Sequence, residues 1–409
     1  VVTGFLSGIY PALTISSYRP VMITTVEAVM KRRTVFRNVL VVFQFAVSTG
    51  LIISFLLVSK QLNYLNGKEL GLDKENILII PSTRKLVEKL DAFRQELMQN
   101  PNIISLSASK RVPSDGLLDS GSASIVADDN VTPVGFRIAH VRIDGQFIPT
   151  YKIKILAGRN FREDISTDFG YIINEIAVKK IGWKSPEDAI GRVIEYSGRR
   201  GSVIGVVNDF HYESLHNPIN PVLMSYDPAS FNRVAIKVTP VETNKTIAFI
   251  EKTWQTYNIS NELFSFEYLT DRYNKLYKSE DKIKMIFGYF MILAISIAVL
   301  GMAGLSLFII ERRTKEIGIR KINGATVPEI VILLNNDFVK WVVIAFIISA
   351  PIAYYSMHKW LESFAYKTEL SLGIFVMSGL IASGIALLTV SWQSWRAATG
   401  NPVNALRNE

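Results

Sequence analysis

Four windows of this 409-residue chain are apolar and free of charged residues, and they restrict its fold more than any other feature. Residues 39–58, 285–310 and 370–395 are each long enough to cross a hydrocarbon layer, which takes about 20 apolar residues in a helix. The fourth window, 341–357, is shorter and contains Pro351, but aromatic residues flank it, as they do at a membrane interface. The sequence therefore predicts four membrane-spanning helices.

Lysine and arginine are distributed unevenly beside these windows, which predicts the orientation of the helices. Basic residues precede the first window and crowd between the second and the third, whereas the connection between the third and the fourth is balanced in charge. Because cytoplasmic loops carry the excess of positive charge, we place the N-terminus, the second-to-third connection and the C-terminus in the cytoplasm. The long segment between the first two windows then lies outside.

These assignments predict the fold class: a four-helix α-helical transmembrane domain with a large α+β extracytoplasmic domain inserted between spans 1 and 2. The expected segments are the end of a preceding span with a cytoplasmic linker (1–37), span 1 (38–60), the outer domain in two lobes (61–280), span 2 (281–310), a cytoplasmic coupling loop (311–338), span 3 (339–358), a short outer loop (359–370), span 4 (371–395) and a cytoplasmic tail (396–409).

Several classes of function are disfavoured by what the sequence lacks. The chain has no cysteine, which excludes disulfides and thiolate chemistry. The four windows contain no Asp, Glu, Lys, Arg or His, and an ion relay would normally need one. No phosphate-binding GxxxxGK[ST] loop occurs, so we expect a chain that is not an enzyme and binds no cofactor itself. The net charge of +9 is concentrated beside the apolar windows, which argues against nucleic acid as a partner.

The segment between spans 1 and 2 alternates short β-like runs with helical ones. Helical spacing at 59–70 and 268–284 predicts that spans 1 and 2 continue outward as a stalk. Hydrophobic patterning predicts further helices at 84–99 and 243–257, and strands at 76–81, 103–107, 136–143, 202–207, 233–238 and 263–268.

One polar cluster in this segment could be interpreted as a metal site. Asp209, His211, Glu213 and His216 follow a strand-like Val-Ile-Gly-Val-Val run. Their spacing does not match a zinc pattern such as His-Glu-x-x-His. We therefore favour a turn after a core strand, and expect no metal site in the chain. A membrane-anchored periplasmic hydrolase that uses these histidines is the weakest hypothesis.

The segment after span 2 has the strongest local signals in the chain. A charged helical continuation ends at Asn323–Gly324, a common pair at helix C-termini. Thr326 and Glu329 then have the spacing of a capping box at the start of a new helix. A basic anchor on anionic lipid would explain the positive charge. It would not explain Glu311, Glu316 or two capped helices, so we favour a docking surface for a cytoplasmic protein.

Three runs of residues in the chain form recognisable motifs: Glu311-Arg-Arg-Thr-Lys-Glu-Ile-Gly-Ile-Arg-Lys-Ile-Asn-Gly-Ala, Ala157-Gly-Arg-Asn-Phe and Val203-Ile-Gly-Val-Val-Asn-Asp-Phe-His. In these runs the sequence resembles the FtsX/MacB-type permeases of ABC transporters, although Asn323 stands where the family more often has Ala or Leu. The resemblance implies a bacterial plasma (inner) membrane subunit with its large domain in the periplasm. The residues we expect to face the ATPase are Glu311, Arg312, Arg313, Glu316, Arg320, Lys321 and Gly324.

The resemblance also implies the partners and the mechanism. A separate cytoplasmic ABC ATPase would hold the ATP and Mg, and its hydrolysis would drive movement outside by mechanotransmission, in efflux or in lipoprotein or peptide export. The unit would be a homodimer or a pseudo-dimer in contact with membrane lipid, with a periplasmic adaptor or membrane-fusion protein as a further partner. A membrane sensor that acts through a partner is the alternative.

The beginning of the chain resembles its end. The run from Tyr10 to Val21 and the run from Ser394 to Val403 both follow an apolar stretch and both finish in Pro-Val. Such an internal repeat predicts that the chain is the C-terminal half of a doubled, eight-span permease.

Overall fold

The structure is a computed structural model that describes residues 26–127, 130–162, 170–257 and 263–399. The chain divides into two compact units. The membrane unit comprises Val1–Val58, Lys284–His358 and Glu369–Glu409, and the outer unit comprises Ser59–Ile283 and Lys359–Thr368. Of the two runs whose resemblance predicts a repeat, residues 10–21 and 400–403 lie outside the described ranges.

The helices in chain order are α1 (Val26–Gly67), α2 (Arg84–Glu88), α3 (Leu90–Leu97), α4 (Phe147–Thr150), α5 (Glu175–Ile181), α6 (Pro186–Ala189), α7 (Thr243–Tyr257), α8 (Leu269–Leu276), α9 (Lys278–Ile322), α10 (Val327–Leu361) and α11 (Leu372–Thr399). The strands are β1 (Ile77–Pro81), β2 (Ile103–Ser109), β3 (Ser120–Ala127), β4 (Asn130–Arg142), β5 (Ile155–Gly158), β6 (Gly170–Asn174), β7 (Val193–Tyr196), β8 (Arg199–Val207), β9 (Val222–Ser225), β10 (Arg233–Val238) and β11 (Glu267–Tyr268).

Within the described residues, four helices are long and apolar enough to cross a membrane: the part of α1 from Arg37 to Gly67, and the whole of α9, α10 and α11. In the membrane unit they share one buried cluster, to which Ile52, Met302, Val342 and Ala386 contribute, one from each helix. Exposed leucine, isoleucine and valine side chains cover much of the remaining surface of these helices. Apolar side chains on the outside as well as the inside are what a helix bundle in lipid requires.

The outer unit contains two sheets. The first has the strand order β11-β1-β10-β2, and all its pairings are antiparallel. Helices α2, α3 and α7 bury Leu86, Phe93 and Trp254 in the same apolar cluster as Leu78 and Ile236 of this sheet. An amphipathic helix on one face of an antiparallel sheet is the usual way for both to bury their apolar sides.

The second sheet has the strand order β5-β8-β6-β9-β4-β3-β7, and β7 also pairs with β8. This additional pairing joins six strands into a closed ring, β8-β6-β9-β4-β3-β7. Closure removes exposed strand edges, which otherwise promote aggregation. Ile138, Ile173, Ile194 and Val206 lie together in one buried cluster of this sheet.

Several elements are shorter than the sequence predicts. The helix expected at 84–99 is interrupted at Lys89, whose φ of −115° and ψ of 21° are not helical. The interruption leaves Leu86 and Leu90 both buried in the same core. The helix expected at 268–284 is interrupted at Tyr277, whose hydroxyl accepts a hydrogen bond from the Leu215 amide at 2.9 Å. The strand expected at 263–268 is reduced to β11.

The sequence reading also missed five strands: β3, β5, β6, β7 and β9. All five residues of β6 and all four of β9 are buried. A strand that is buried on both faces lacks the alternation of apolar and polar residues from which strands are predicted.

Candidate functional site

The connection between α9 and α10 is a tightly hydrogen-bonded turn centred on Gly324. The Ala325 amide donates to the Arg320 carbonyl at 3.0 Å, and the Gly324 amide donates to the Lys321 carbonyl at 3.1 Å. These two bonds form a Schellman motif, which needs a left-handed residue directly after the helix. Gly324 has a φ of +90°, a conformation that glycine adopts without strain. The turn therefore fixes how the two helices meet.

The next helix begins with part of the predicted capping box. The Glu329 carboxylate accepts a hydrogen bond from the Thr326 amide at 2.9 Å. Behind the turn, Ile317, Ile330 and Leu334 form a small buried cluster with Ala398 of α11. We call residues 311–330 the hairpin. Its apex has a defined shape because both helix ends are capped and one side of it is packed.

The charged residues predicted to face a partner do not all lie on one side of α9. At about 100° per residue, Arg312, Arg313, Glu316 and Arg320 fall on one side, and Glu311 lies about half a turn away from Arg320. Glu316 and Arg320 form an ion pair at 2.9 Å and remain about half exposed. The exposed members of the predicted set are Glu311, Arg312, Glu316, Arg320 and Gly324.

Lys321 has a different environment from the other predicted residues. Its ammonium group donates to the Ala398 carbonyl near the end of α11 at 2.7 Å. A cation that binds the last carbonyls of a helix stabilises that helix end. This contact holds α11 against the hairpin, and nothing in the pattern around Lys321 indicated it. Beside it, an open groove is lined by Arg320, Asn323, Gly324, Ala325, Glu329, Ile330 and Leu333.

In the outer unit, residues 359–368 are held by the outer end of α1. The side-chain amide of Gln61 donates from Nε2 to the Tyr366 carbonyl at 2.8 Å and accepts at Oε1 from the Thr368 amide at 2.8 Å. Gln61 is fully buried. Lys68, directly after the end of α1, places its ammonium 3.9 Å from the centre of the Tyr366 ring. The segment 359–368, which we call the anchored loop, is therefore fixed through both its backbone and its side chains.

The two histidines of the 209–216 cluster contact the same loop. The His211 ring packs edge-on against Tyr366, with ring centres 4.9 Å apart. The His216 ring stacks on Phe364 at 4.3 Å, and its Nε2 lies 3.1 Å from Glu280 Oε1. Burial lowers the pKa of His211 to about 4, and the charge of Lys68 adds to this shift. His211 is therefore neutral at physiological pH.

The acidic members of that cluster have separate structural roles. Asp209 accepts a hydrogen bond from the Ile176 amide at the start of α5 at 2.8 Å, and burial raises its pKa. Glu213 accepts from the Leu117 amide at 2.6 Å. In the part of the chain that the structure describes, no group of three or more His, Cys, Asp or Glu residues could hold a metal ion. These observations agree with a turn after a core strand and with side chains that serve packing.

Comparison with protein families gives a match in the C-terminal part of the chain. Residues 288–402 match the family described as FtsX-like permease C-terminal. This range contains α10, α11, most of α9 and the whole hairpin. It includes all seven residues that we expect, from the resemblance, to face the ATPase.

Solved structures with similarity to the chain cover about half of it. The periplasmic region of MacB from Actinobacillus actinomycetemcomitans matches with 17% identity and a TM-score of 0.34, over 49% of this chain and 92% of that one. The extracellular domain of the noncanonic ABC-type transporter YknZ from Gram-positive bacteria matches with 15% identity and a TM-score of 0.32, over 47% and 100%. A domain of a putative permease protein from Porphyromonas gingivalis matches with 12% identity and a TM-score of 0.33, over 48% and 91%. Among curated proteins, no sequence matches the chain.

Proposed function

We propose that this chain, whose C-terminal part matches the FtsX-like permease family, is the membrane subunit of an ABC-type transporter. It binds a separate cytoplasmic ATPase through the hairpin and converts ATP hydrolysis there into movement of the outer unit. ATP and Mg²⁺ are bound by the ATPase. This chain transmits force and has no catalytic residue.

The observation that carries the proposal is the capped, charged hairpin at the end of α9. A surface that transmits force must keep its shape under load. The Schellman turn at Gly324 and the buried contacts of Ile317 and Ile330 supply that rigidity. Exposed charges of both signs, such as Glu316 and Arg320, supply specificity for a partner more than raw affinity.

Helix continuity supports the transmission step. α1 and α9 are each unbroken and have residues in both units. A continuous helix is stiff along its axis, so a displacement at the hairpin is carried along α9. The anchored loop adds a third connection, because it includes the end of α10 and is bound to the outer end of α1 by Gln61.

The remaining assignments follow from the charge pattern and the family. The membrane is the bacterial inner membrane, with the hairpin on the cytoplasmic side and the outer unit in the periplasm. The functional assembly pairs two such four-span units, either as a homodimer or with a preceding homologous half. The transporter works in efflux or in lipoprotein or peptide export, with an adaptor on the periplasmic side.

The proposal is tested by copurification of the full chain with the ATPase encoded by a neighbouring gene. Glu316→Lys should abolish copurification and ATP-dependent transport while leaving the yield of the chain unchanged. The matched control is Glu88→Lys, which breaks a similar exposed pair with Arg84 (3.4 Å) in the outer unit and should leave copurification intact.

A charge swap separates docking from helix stability. An exposed pair at this spacing contributes only about 0.3–0.5 kcal/mol to its helix. The double variant Glu316→Arg with Arg320→Glu keeps the pair but reverses the charges that a partner meets. The proposal predicts that the swap fails to restore copurification. Full restoration by the swap would show that the pair only stabilises α9 and would refute the docking role.

A further inference from the structure

Two arginines from different helices of the membrane unit share one aromatic ring. The guanidinium carbon of Arg37 on α1 lies 4.1 Å from the centre of the Phe308 ring, and that of Arg312 on α9 lies 4.6 Å from the same centre. Each contact is a favourable cation–π interaction. Together they bring two permanent positive charges to the same place, where they repel each other.

Among the described residues, no carboxylate forms an ion pair with Arg37 or Arg312 that would relieve this repulsion. Arg312 acts on Arg37 as a like charge. The Nε of Arg37 is buried and makes no hydrogen bond within the same residues. A buried donor without an acceptor is costly, and so is a pair of adjacent cations. Both costs are removed by an anion that accepts hydrogen bonds from the two guanidinium groups.

The position of the ring along the helices indicates which anion is present. Ser306, half a turn from Phe308, hydrogen-bonds to Gln393 on α11. On either side of Gln393, Trp392 and Trp395 are 70% and 53% exposed. Exposed tryptophans at one end of a spanning helix mark the level of the lipid headgroups. The two arginines therefore lie at the depth where lipid phosphates occur.

We propose that Arg37, Phe308 and Arg312 form a binding site for the phosphate of an anionic phospholipid in the cytoplasmic leaflet. This inference rests on the proposed placement of the four helices in a membrane. The planar guanidinium forms paired hydrogen bonds with phosphate oxygens, and the ring holds both groups with their donors free. Because the lipid bridges α1 and α9, it stabilises the contact between the two helices that continue into the outer unit. In this proposal Arg312 binds the lipid phosphate.

The test measures lipid retention by the full chain without any ATPase, so its result is independent of the proposed coupling. The purified chain is equilibrated in detergent with equal amounts of phosphatidylglycerol and phosphatidylcholine, and bound lipid is counted by native mass spectrometry. The native chain should retain phosphatidylglycerol in preference. Arg37→Gln and Arg312→Gln should each reduce that retention about tenfold or more, the loss expected when hydrogen bonds between a guanidinium and a charged phosphate are removed.

The control is Arg396→Gln on α11, which removes an exposed arginine of the same end of the bundle. It should retain phosphatidylglycerol like the native chain. Arg37→Lys keeps the charge but loses the paired donors, so its retention of phosphatidylglycerol should lie between that of Arg37→Gln and that of the native chain. A folding defect would shift the elution volume in size exclusion, so variants are compared only at the native volume.

Two results would overturn the proposal. One is equal retention of the two lipids by the native chain, and the other is equal retention of phosphatidylglycerol by Arg37→Gln and Arg396→Gln. Displacement of the lipid by an excess of inorganic phosphate would show that the site binds free phosphate and would count against a lipid site.

Discussion

Gly158 on β5 and Gly205 on β8 lie opposite each other in an antiparallel pair, and each leaves room for the backbone of the other strand. A Cβ at Gly158 would stand 2.2 Å from the Ile204 carbonyl oxygen, and a Cβ at Gly205 would stand 2.4 Å from the Arg159 carbonyl oxygen. Backbone atoms held in a paired sheet cannot retreat from such contacts. The glycines in two of the motifs that resemble the permease family are therefore explained by the packing of one strand pair.

The first prediction compares Gly158→Ala with Gly182→Ala. Both glycines have positive φ, +76° and +93°, but a Cβ at Gly182 meets nothing within 4 Å. Gly182→Ala should cost about 1–2 kcal/mol, the strain of a left-handed residue. Gly158→Ala should cost about 1–3 kcal/mol more because of the clash with Ile204. The urea concentration at the midpoint of unfolding of the outer unit, monitored by hydrogen exchange in the full chain, measures the difference in stability between the two variants. Equal midpoints for the two variants would contradict this account of β5 and β8.

The second prediction concerns the anchored loop. Gln61→Leu preserves approximate volume but leaves the Tyr366 carbonyl and the Thr368 amide without their partner. Each unsatisfied buried group costs roughly 1–3 kcal/mol, so the loop should open far more often. Amide exchange across residues 359–368 should accelerate, while exchange in the first sheet should stay unchanged.

Two further substitutions sharpen the Gln61 test. Gln61→Glu keeps an acceptor for the Thr368 amide but places a buried carboxylate against the Tyr366 carbonyl, so it should open the loop at least as much as Gln61→Leu. Gln255→Leu replaces an exposed glutamine on α7 and should change nothing in the loop. Native-like exchange of the loop in Gln61→Leu would show that the ring contacts of Tyr366 hold it without the hydrogen bonds.

The third prediction concerns acid stability. Burial lowers the pKa of His140 to about 4, with a further contribution from Arg142, as burial does for His211. Since histidine in the unfolded chain titrates near 6.5, the unfolded state binds a proton on each ring between these values and the folded state does not. Lowering the pH through this window should therefore destabilise the outer unit by about 1.4 kcal/mol per pH unit for each ring.

Pulse proteolysis in urea at the two ends of that window measures the slope. His140→Gln and His211→Gln should each lower this slope by the contribution of one histidine, about 1.4 kcal/mol per pH unit. An unchanged slope in the double variant would mean that neither ring is buried in its neutral form.

Asp73 affects the stability of the outer unit at lower pH than the histidines do. Hydrogen bonds from Lys237 and Lys152 outweigh the effect of burial and lower the pKa of Asp73 to about 2. Its contribution is present above about pH 4 and is lost as the pH falls toward 2.

The sequence predicted the features that depend on local composition. A long uncharged apolar window is enough to predict a spanning helix, and the pair Asn323–Gly324 is enough to predict a helix end. The structure has four candidate spans and a left-handed Gly324 at those positions. A local motif also predicts that the C-terminal part of the chain resembles a permease family, and the family match over residues 288–402 confirms this resemblance.

What the sequence missed depends on residues that are far apart in the chain. Gln61 and Tyr366 are separated by 305 positions, and Lys321 and Ala398 by 77. No periodicity relates such pairs. Arg312 stands within a charged run, and the sequence therefore predicts a partner-facing role for it without indicating a second contact. Its contact with Phe308, shared with Arg37 of another helix, could only be seen in three dimensions.

The central claim is that ATP hydrolysis by a partner moves the outer unit, and distances between spin labels test it most directly. Because the chain has no cysteine, labels can be attached at single positions without background. Two pairs join the outer unit to the start of α11: Lys252→Cys with Leu372→Cys, and Leu118→Cys with Leu372→Cys. All three side chains are exposed.

Distances between the two spin labels are measured by double electron–electron resonance for the full chain with its ATPase, first without nucleotide and then with ATP and vanadate. We predict that at least one distance distribution shifts when nucleotide is added, and that neither shifts without the ATPase or in the Glu316→Lys variant. Identical distributions in both nucleotide states, with an ATPase that is bound and active, would contradict the account.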